Sequence, residues 1–409
     1  MSGDPDTPRA AVGPARPGSD LPDPDRRGSD RRVLYPLDAA GFVTALGAHS
    51  IAAGLGLFTG EQHTSLLTLG ILLAVYDGAE IILKPVFGTL ADRIGPRPVL
   101  VGGLTAFAAA SAAFVVVGNP ALLVVVRFAQ GAAASAFSPA AGAMVARLSD
   151  GSRHGRVFSS YGAFKSLGYA LGPILGAVLI TTGGYPALFI ALTVLAVAVT
   201  AWAALAVPTL PPLPRRRQTV LDLARRLGSA DFLHPTVTLA SATAALAVGV
   251  GFFPVLAIEA GMSLIVTGAA VCLLSVTAVL VQPLAGQARD SGRLSDGIGM
   301  AAGIGLAAAG LLAAALLTVP VGVVVAGVMV GAGTAISTPL AFAHLAGTAP
   351  PERLGQTMGA AEIGRELGDA GGPLLVGAIA AAVSLSGGLA ALAIVLGGVA
   401  VINTRRNSR

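Results

Sequence analysis

Twelve apolar runs, each about long enough to cross a bilayer as a helix, follow one another along this chain. They cover approximately 35–59, 65–87, 98–117, 120–146, 157–181, 186–207, 235–257, 263–286, 296–318, 320–346, 356–382 and 385–403. In lipid a helix satisfies every backbone hydrogen bond within itself, whereas an open strand cannot. The period-two alternation of a barrel strand is absent. Composition agrees: 54% of the residues are hydrophobic and 11% charged, against about a quarter charged in a soluble domain. The expected fold class is therefore all-α and integral to a membrane, with twelve transmembrane helices.

Arginine sets the orientation. Arg93 and Arg97 follow the second run, and Arg147, Arg153 and Arg156 the fourth. Arg215, Arg216, Arg217, Arg225 and Arg226 follow the sixth, Arg289 and Arg293 the eighth, and Arg353 the tenth. Arg405, Arg406 and Arg409 end the chain. The alternate loops, near Glu61, Pro120, Gly184, Glu259, Pro320 and Ser386, hold neither Lys nor Arg. The positive-inside rule then puts both termini in the cytoplasm, which requires an even number of spans. The basic charge is thus read as topology and not as a nucleic-acid footprint.

Residues 1–34 are rich in Pro, Gly, Asp and Arg and read as a disordered cytoplasmic tail. No short apolar stretch with a small-residue cleavage site precedes the first run, so the tail is not read as a signal peptide. Residues 35–207 form the first expected six-helix bundle, 208–234 a cytoplasmic linker, 235–403 the second bundle and 404–409 a cytoplasmic tail. Within the linker, Pro211, Pro212 and Pro214 precede three arginines, and Val220, Leu221, Leu223, Ala224 and Leu227 suggest a short amphipathic surface helix. The two bundles repeat. Ser138-Pro139 matches Thr338-Pro339, and Gly168, Gly172 and Pro173 match Gly368, Gly372 and Pro373, at an offset of 200 in each case. Parallel repeats are a known transporter architecture, with the substrate site between them near the midplane.

The loop after the second run reads Gly88-Thr-Leu-Ala-Asp92-Arg93-Ile-Gly95-Pro-Arg97. Gly95 permits a tight turn, and Asp92 suits the exposed amides of a helix start. The fourth run holds Arg127-Phe-Ala-Gln130-Gly131, and the fifth holds Gly168, Gly172, Pro173 and Gly176. A degenerate copy of the loop motif recurs as Gly286-Gln-Ala-Arg289-Asp290-Ser-Gly292-Arg293. Together these resemble the signature motifs of the major facilitator superfamily, and the fifth-run motif is similar to that of its drug:proton antiporter branch. The resemblance extends from about Leu34 to the end. It departs from the family at Pro96 and Pro98, which flank Arg97 where a more basic run is usual. It implies the family fold of two six-helix pseudo-repeats. It also implies that Asp92 and Arg93 hold the cytoplasmic ends of the two halves together, and that Arg127 takes part in proton coupling.

Charges inside spans are costly and usually functional. Asp77, Glu80 and Lys84 share one face of the second span; Glu362, Arg365, Glu366 and Asp369 share one face of the eleventh. Arg365 occupies the repeat position of Lys165. Five acids (Asp77, Glu80, Glu362, Glu366, Asp369) face four bases (Lys84, Arg127, Lys165, Arg365), a net of −1. One carboxyl without a cation favours its neutral form in some states, as a proton carrier must. Structural ion pairing is the competing reading of the same cluster. Asp77 and Asp369 lie nearest mid-span and are the candidate proton sites. Lys84 lies four residues before Gly88, about 6 Å deep, and Glu362 about 9 Å deep at the same rise per residue. Lys84, Glu362 and Glu366 are therefore candidate gate residues, with Asp92 capping the start of the eleventh span. Candidate cavity residues are His49, Glu80, Lys165, Arg365 and Tyr161. For His49, for His344 and for the rings of Tyr76, Tyr161, Tyr169 and Trp202, a packing role competes with contact to substrate.

Cys272 is the lone cysteine and has no partner for a disulfide or a thiolate metal site. Neither lysine follows a glycine-rich loop, so a Walker A phosphate site is absent. No nucleophile–base pair or metal spacing suggests an enzyme, and no cofactor or metal is expected. The expected function is proton-coupled efflux of small molecules by a monomeric plasma- or inner-membrane transporter whose partners are substrate, protons and lipid. The alternatives are a nutrient or organic-ion importer and an exporter of a small polar or metal-containing solute.

Overall fold

The computed structural model describes residues 24–61, 66–117, 119–149, 151–212, 228–317 and 319–407. Among these residues twelve helices follow in order. The first four are α1 (Pro24–Glu61), α2 (Leu66–Ile94), α3 (Pro96–Val116) and α4 (Pro120–Arg147). The stretch His154–Ala206 is interrupted at Gly184 (φ 72°), which a left-handed turn suits, and divides there into α5 and α6. Then come α7 (Ala230–Glu259), α8 (Leu264–Asp290), α9 (Asp296–Leu316), α10 (Pro320–Thr348), α11 (Leu354–Ala382) and α12 (Leu385–Asn407). Proline opens α3, α4 and α10, where its missing N–H costs no helical bond. Gly95 makes the α2–α3 turn with φ 95°.

Helix ends and apolar ends differ. Residues 24–34, expected to belong to a disordered tail, form the first turns of α1. Likewise α7 starts at Ala230 and not at 235, and α12 runs on to Asn407. Hydropathy locates the lipid, whereas backbone hydrogen bonding, once nucleated, propagates through good helix formers such as arginine. The expected disorder of residues 1–23 and the amphipathic helix of the linker lie outside the described residues.

Seven of the helical segments have an 18-residue window apolar enough for a membrane span, searched over the described residues only. Neither α2 nor α11 is among them; each carries a row of charges through its middle. Elsewhere the outer surface exposes large aliphatic side chains such as Val116, Val194, Leu205, Leu284 and Ile394, which suits contact with lipid.

Small residues bring helices together in matching ways in the two halves. Gly168, Gly172 and Gly176 lay α5 against Phe42, Leu46 and Ser50 of α1, and Ser50 Oγ donates to the Gly172 carbonyl at 2.7 Å. Gly364, Gly368 and Gly372 lay α11 against Thr236, Ala240 and Ala244 of α7. The helices of Pro139 and Pro373 pass through these prolines without ending.

The buried core is divided unevenly. One cluster draws on both halves, from Leu37 and Phe137 to Phe158, Leu340 and Met358, and lies toward the arginine-bearing end. Toward the other end each half keeps its own cluster, around Phe114 and Phe189 in one and Phe253 and Leu311 in the other. The halves are thus packed together at the arginine-bearing end and parted at the opposite one.

Candidate functional site

Two seams close the arginine-bearing end. In the first, α2 meets α11. Gly88 lies against the backbone of Gly355, so that a side chain at either position would collide with the other helix. At the end of α2, Asp92 accepts from the amides of Gly355 and Gln356, each at 2.8 Å. A carboxylate there satisfies two of the unpaired amides of a helix start and complements its dipole. Arg93, beside it, is exposed.

One turn above Gly88 lies Lys84, 1% exposed. Its ammonium contacts Glu80 on its own helix, and Glu366 at 2.5 Å and Glu362 at 3.4 Å across the seam. Glu362 also takes Arg365 at 3.1 Å and Lys165 of α5 at 3.8 Å. Arg365 reaches the Tyr169 hydroxyl at 3.5 Å, and Lys165 the Ser138 hydroxyl at 3.5 Å. Three glutamates and three cations therefore form one network spanning α2, α5 and α11.

In the second seam α8 meets α5. Gly286 lies against Gly155, and Asp290 accepts from the amides of Gly155 and Arg156 at 2.9 and 2.8 Å. Above Gly286 the side chain is Gln282, whose Nε2 donates to Ser166 Oγ at 3.0 Å.

Between the halves lies a cavity of about 400 Å³, within the range of small-molecule sites. His49, Asp77, Glu80, Lys165, Arg365, Glu366 and Asp369 line it, with Tyr76, Phe137, Tyr169, Thr243 and Ser275. His49 donates from Nδ1 to the Ala45 carbonyl at 3.1 Å, and its ring meets the Tyr169 ring edge-on with centroids 4.4 Å apart. Asp77 is half-buried and Asp369 exposed to the cavity. Among the described residues neither has a cation within ion-pair distance.

Tyr161, expected in this cavity, faces instead a smaller chamber of about 50 Å³ beside it, with Gln282, Glu362 and Arg365. Its ring fills the space left by Gly41, and burial in that contact keeps it out of the larger cavity. Arg127 does not line the cavity either. It is buried behind Tyr76, 4.3 Å from the ring centroid, and donates to Gln130 Oε1 at 2.6 Å. Gly131, one turn on, lets α4 approach the backbone of Tyr76.

The sequence reading missed three groups. Asp38, buried in α1 within the first apolar run, accepts from Ser160 at 2.9 Å and is a sixth acid beside the five of the second and eleventh spans. Gln282 gave no charge to notice. Asp296 binds both Arg289 at 2.7 Å and His344 at 3.2 Å, joining α8, α9 and α10. Cys272 is partly buried and in no disulfide. Among the described residues no group of three His, Cys, Asp or Glu is placed to hold a metal ion.

Comparison with known proteins places this geometry. Multidrug resistance protein MdtG of Erwinia billingiae is 30% identical over 163 residues, 39% of this chain and 40% of that protein. MdtG of Serratia proteamaculans is 31% identical over 177 residues, 42% and 43% of the two chains. The match thus spans about two-fifths of the length of these relatives. Among solved structures, the human organic anion transporter MFSD10 superposes with a TM-score of 0.76 at 16% identity, over 91% of this chain and 98% of that one. FucP in the outward conformation gives 0.76 at 15% identity, over 93% and 100%. At such identities the likeness is one of fold. The sequence model of the Major Facilitator Superfamily matches residues 37–290. With more than half its length matched, the chain belongs to the Major Facilitator Superfamily and is a multi-pass membrane protein.

Proposed function

We propose that this protein is a secondary transporter that exports a small molecule in exchange for protons, by alternating access of the cavity between two six-helix halves. The observation that carries the reading is that two carboxyls without an ion-pair partner, Asp77 and Asp369, face a cavity whose lining glutamates, Lys165 and Arg365 are held in one ion-pair network. Such a carboxyl holds a proton or releases it at small cost, and the proton gradient supplies the energy. The solute leaves chemically unchanged, so the cycle needs neither catalytic residues nor a cofactor. The resemblance to MdtG over part of the chain supports export as the direction.

In this reading both termini and the 208–234 linker are cytoplasmic, the protein works as a monomer in the cell membrane, and the two seams form the cytoplasmic gate. Asp92, Arg93, Lys84, Glu362 and Glu366 hold the gate shut while the cavity opens outward. Opening inward requires Lys84 to part from Glu362 and Glu366, and a proton on either glutamate weakens that hold. Arg127, lying against Tyr76 behind the cavity wall, tunes the proton affinity of Asp77 through the field it sets up.

The test is a solute screen in a hypersensitive, efflux-deficient strain, with and without dissipation of the proton gradient. Expression should lower the accumulation of at least one solute, and dissipation, or the Asp77→Asn, Asp369→Asn double variant, should abolish that effect. Export that persists in the double variant with the gradient collapsed would overturn the reading.

A further inference from the structure

The small chamber beside the cavity gathers polar atoms that the ion-pair network and the seams leave over. Three of its side chains carry a buried atom with no hydrogen-bond partner among the described residues: the Tyr161 hydroxyl, Gln282 Oε1 and Arg365 Nε. Tyr161 is 8% exposed and Gln282 4%. The three come from different helices, α5, α8 and α11, and each is already held through its other atoms. The Tyr161 ring lies on Gly41, the Gln282 amide nitrogen donates to Ser166, and the terminal nitrogens of Arg365 reach Glu362 and Tyr169. To turn toward another partner, each would have to give up a contact it has.

Buried polar atoms cost free energy unless something meets them, and the mix of atoms decides what can. Arg365 Nε only donates, Gln282 Oε1 only accepts, and the Tyr161 hydroxyl does either. A cation in the chamber would face the guanidinium of Arg365 and the ammonium of Lys165. An inorganic anion would face the Glu362 carboxylate and the amide oxygen of Gln282. An apolar group would satisfy none of the three atoms. A small molecule that both donates and accepts satisfies them all, and a buried water typically has about three such partners. The volume of about 50 Å³ has room for at least one water.

We infer that the chamber is a built water site, and that water held there bridges Tyr161, Gln282 and Arg365 and so ties the two seams together. Arg365 belongs to the network of the α2/α11 seam, and Gln282 to the α8/α5 seam. Among the described residues no direct side-chain hydrogen bond or ion pair joins that network to Gln282. The water supplies the missing link. When the first seam parts and α11 moves, Arg365 draws away from the water, and Gln282 and Tyr161 lose a shared partner. The second seam is then weakened by the opening of the first, and the two part together. The water site stands whatever the protein carries. The coupling rests on the reading of the two seams as one gate.

Millisecond X-ray radiolysis of the purified full-length protein in detergent tests the site, with water itself as the probe. Hydroxyl radicals form where water is held, and mass spectrometry finds the side chains they oxidise. Tyr161 and Phe158 line the chamber and should be oxidised at least about threefold faster than Phe107 and Phe253, which are buried and line neither cavity. Rates no faster than those controls would overturn the inference, and this arm needs no variant to fold. Tyr161→Phe removes only the hydroxyl, and Gln282→Met the amide. The two groups share no hydrogen bond, so energetic coupling between them runs through the water. The double variant should lower Tm by at least about 1 °C less than the two single shifts added together. Strict additivity would overturn the bridge. Spin labels at Ile94 and Pro351, exposed at the end of the α2/α11 seam, read its opening. Gln282→Met, a change in the other seam, should alter the fraction of molecules open there by at least about twofold. An unchanged fraction would overturn the coupling. Uphill export by a protein whose chamber is dry would leave the proposed function standing and sink only this inference. A hydrated, coupled chamber in a protein that moves nothing uphill would do the reverse.

Discussion

The α2/α11 and α8/α5 seams share one backbone design and differ in their side chains. Each ends in an aspartate that accepts two amides from the start of the facing helix, Asp92 in one and Asp290 in the other. Each brings glycine against glycine, Gly88 on Gly355 and Gly286 on Gly155. One turn above, the first seam has Lys84 against Glu362 and Glu366, whereas the second has Gln282 against Gly162 and Ser166. The neutral seam closes with the same geometry as the charged one. Closure therefore does not need the ions. In the proposed cycle they are the part that responds, since a lysine shared among glutamates changes its hold when one of them takes a proton and an amide on a hydroxyl does not.

The largest expected difference between the seams comes from Lys84→Met. It strands Glu80 and Glu366, since Glu362 keeps Arg365 and Lys165, and unpairing a buried charge costs about 3–5 kcal/mol. Gln282→Met at the matching site forfeits one neutral hydrogen bond, about 1 kcal/mol. Thermal unfolding in detergent reads both, and equal losses would break the contrast. Lys84→Met should also abolish transport, whereas Gln282→Met should retain it.

Next come the caps, where the seams should agree. Asp92→Asn and Asp290→Asn each remove a charge from a helix start, worth about 1–2 kcal/mol in a partly buried site. Cysteines at 84 and 362, or at 282 and 162, in a background lacking Cys272, report closure by cross-linking. Each asparagine should lower cross-linking of its own seam. An effect confined to Asp92 would mean that the second cap is ornamental.

The smallest expected effect is that of Ser166→Ala, about 0.5–1 kcal/mol with the pH profile of transport unmoved. Glu366→Gln, by contrast, should displace that profile even where stability changes little. A displaced profile in Ser166→Ala would show that the neutral seam also responds to protons.

The charged seam could be read from sequence because charge is conspicuous in an apolar helix. The spacing of Lys84 from Gly88, and of Glu362 from the start of its span, sets both at similar depth, and in the structure the two side chains are in contact. The neutral seam could not be read that way: a glutamine and a serine are ordinary in any helix, and only their contact marks them. Asp38 escaped for a different reason. It stands four residues into an apolar run whose boundary is uncertain by about that much, so sequence alone does not separate a buried place from a flanking one. Tyr161 and Arg127 show that a place in a span does not settle which cavity a side chain enters; Gly41 and the Tyr76 ring decide that by packing.

The central claim is that solute leaves against protons through Asp77 and Asp369. Everted vesicles made from producing cells, acidified inside and loaded with a pH-sensitive dye, test it most directly. Adding a transported solute outside should drive protons out and raise the internal pH in vesicles with the unaltered protein, and should do nothing with the Asp77→Asn, Asp369→Asn double variant. Solute uptake without proton movement, or an unchanged proton response in the double variant, would contradict the account.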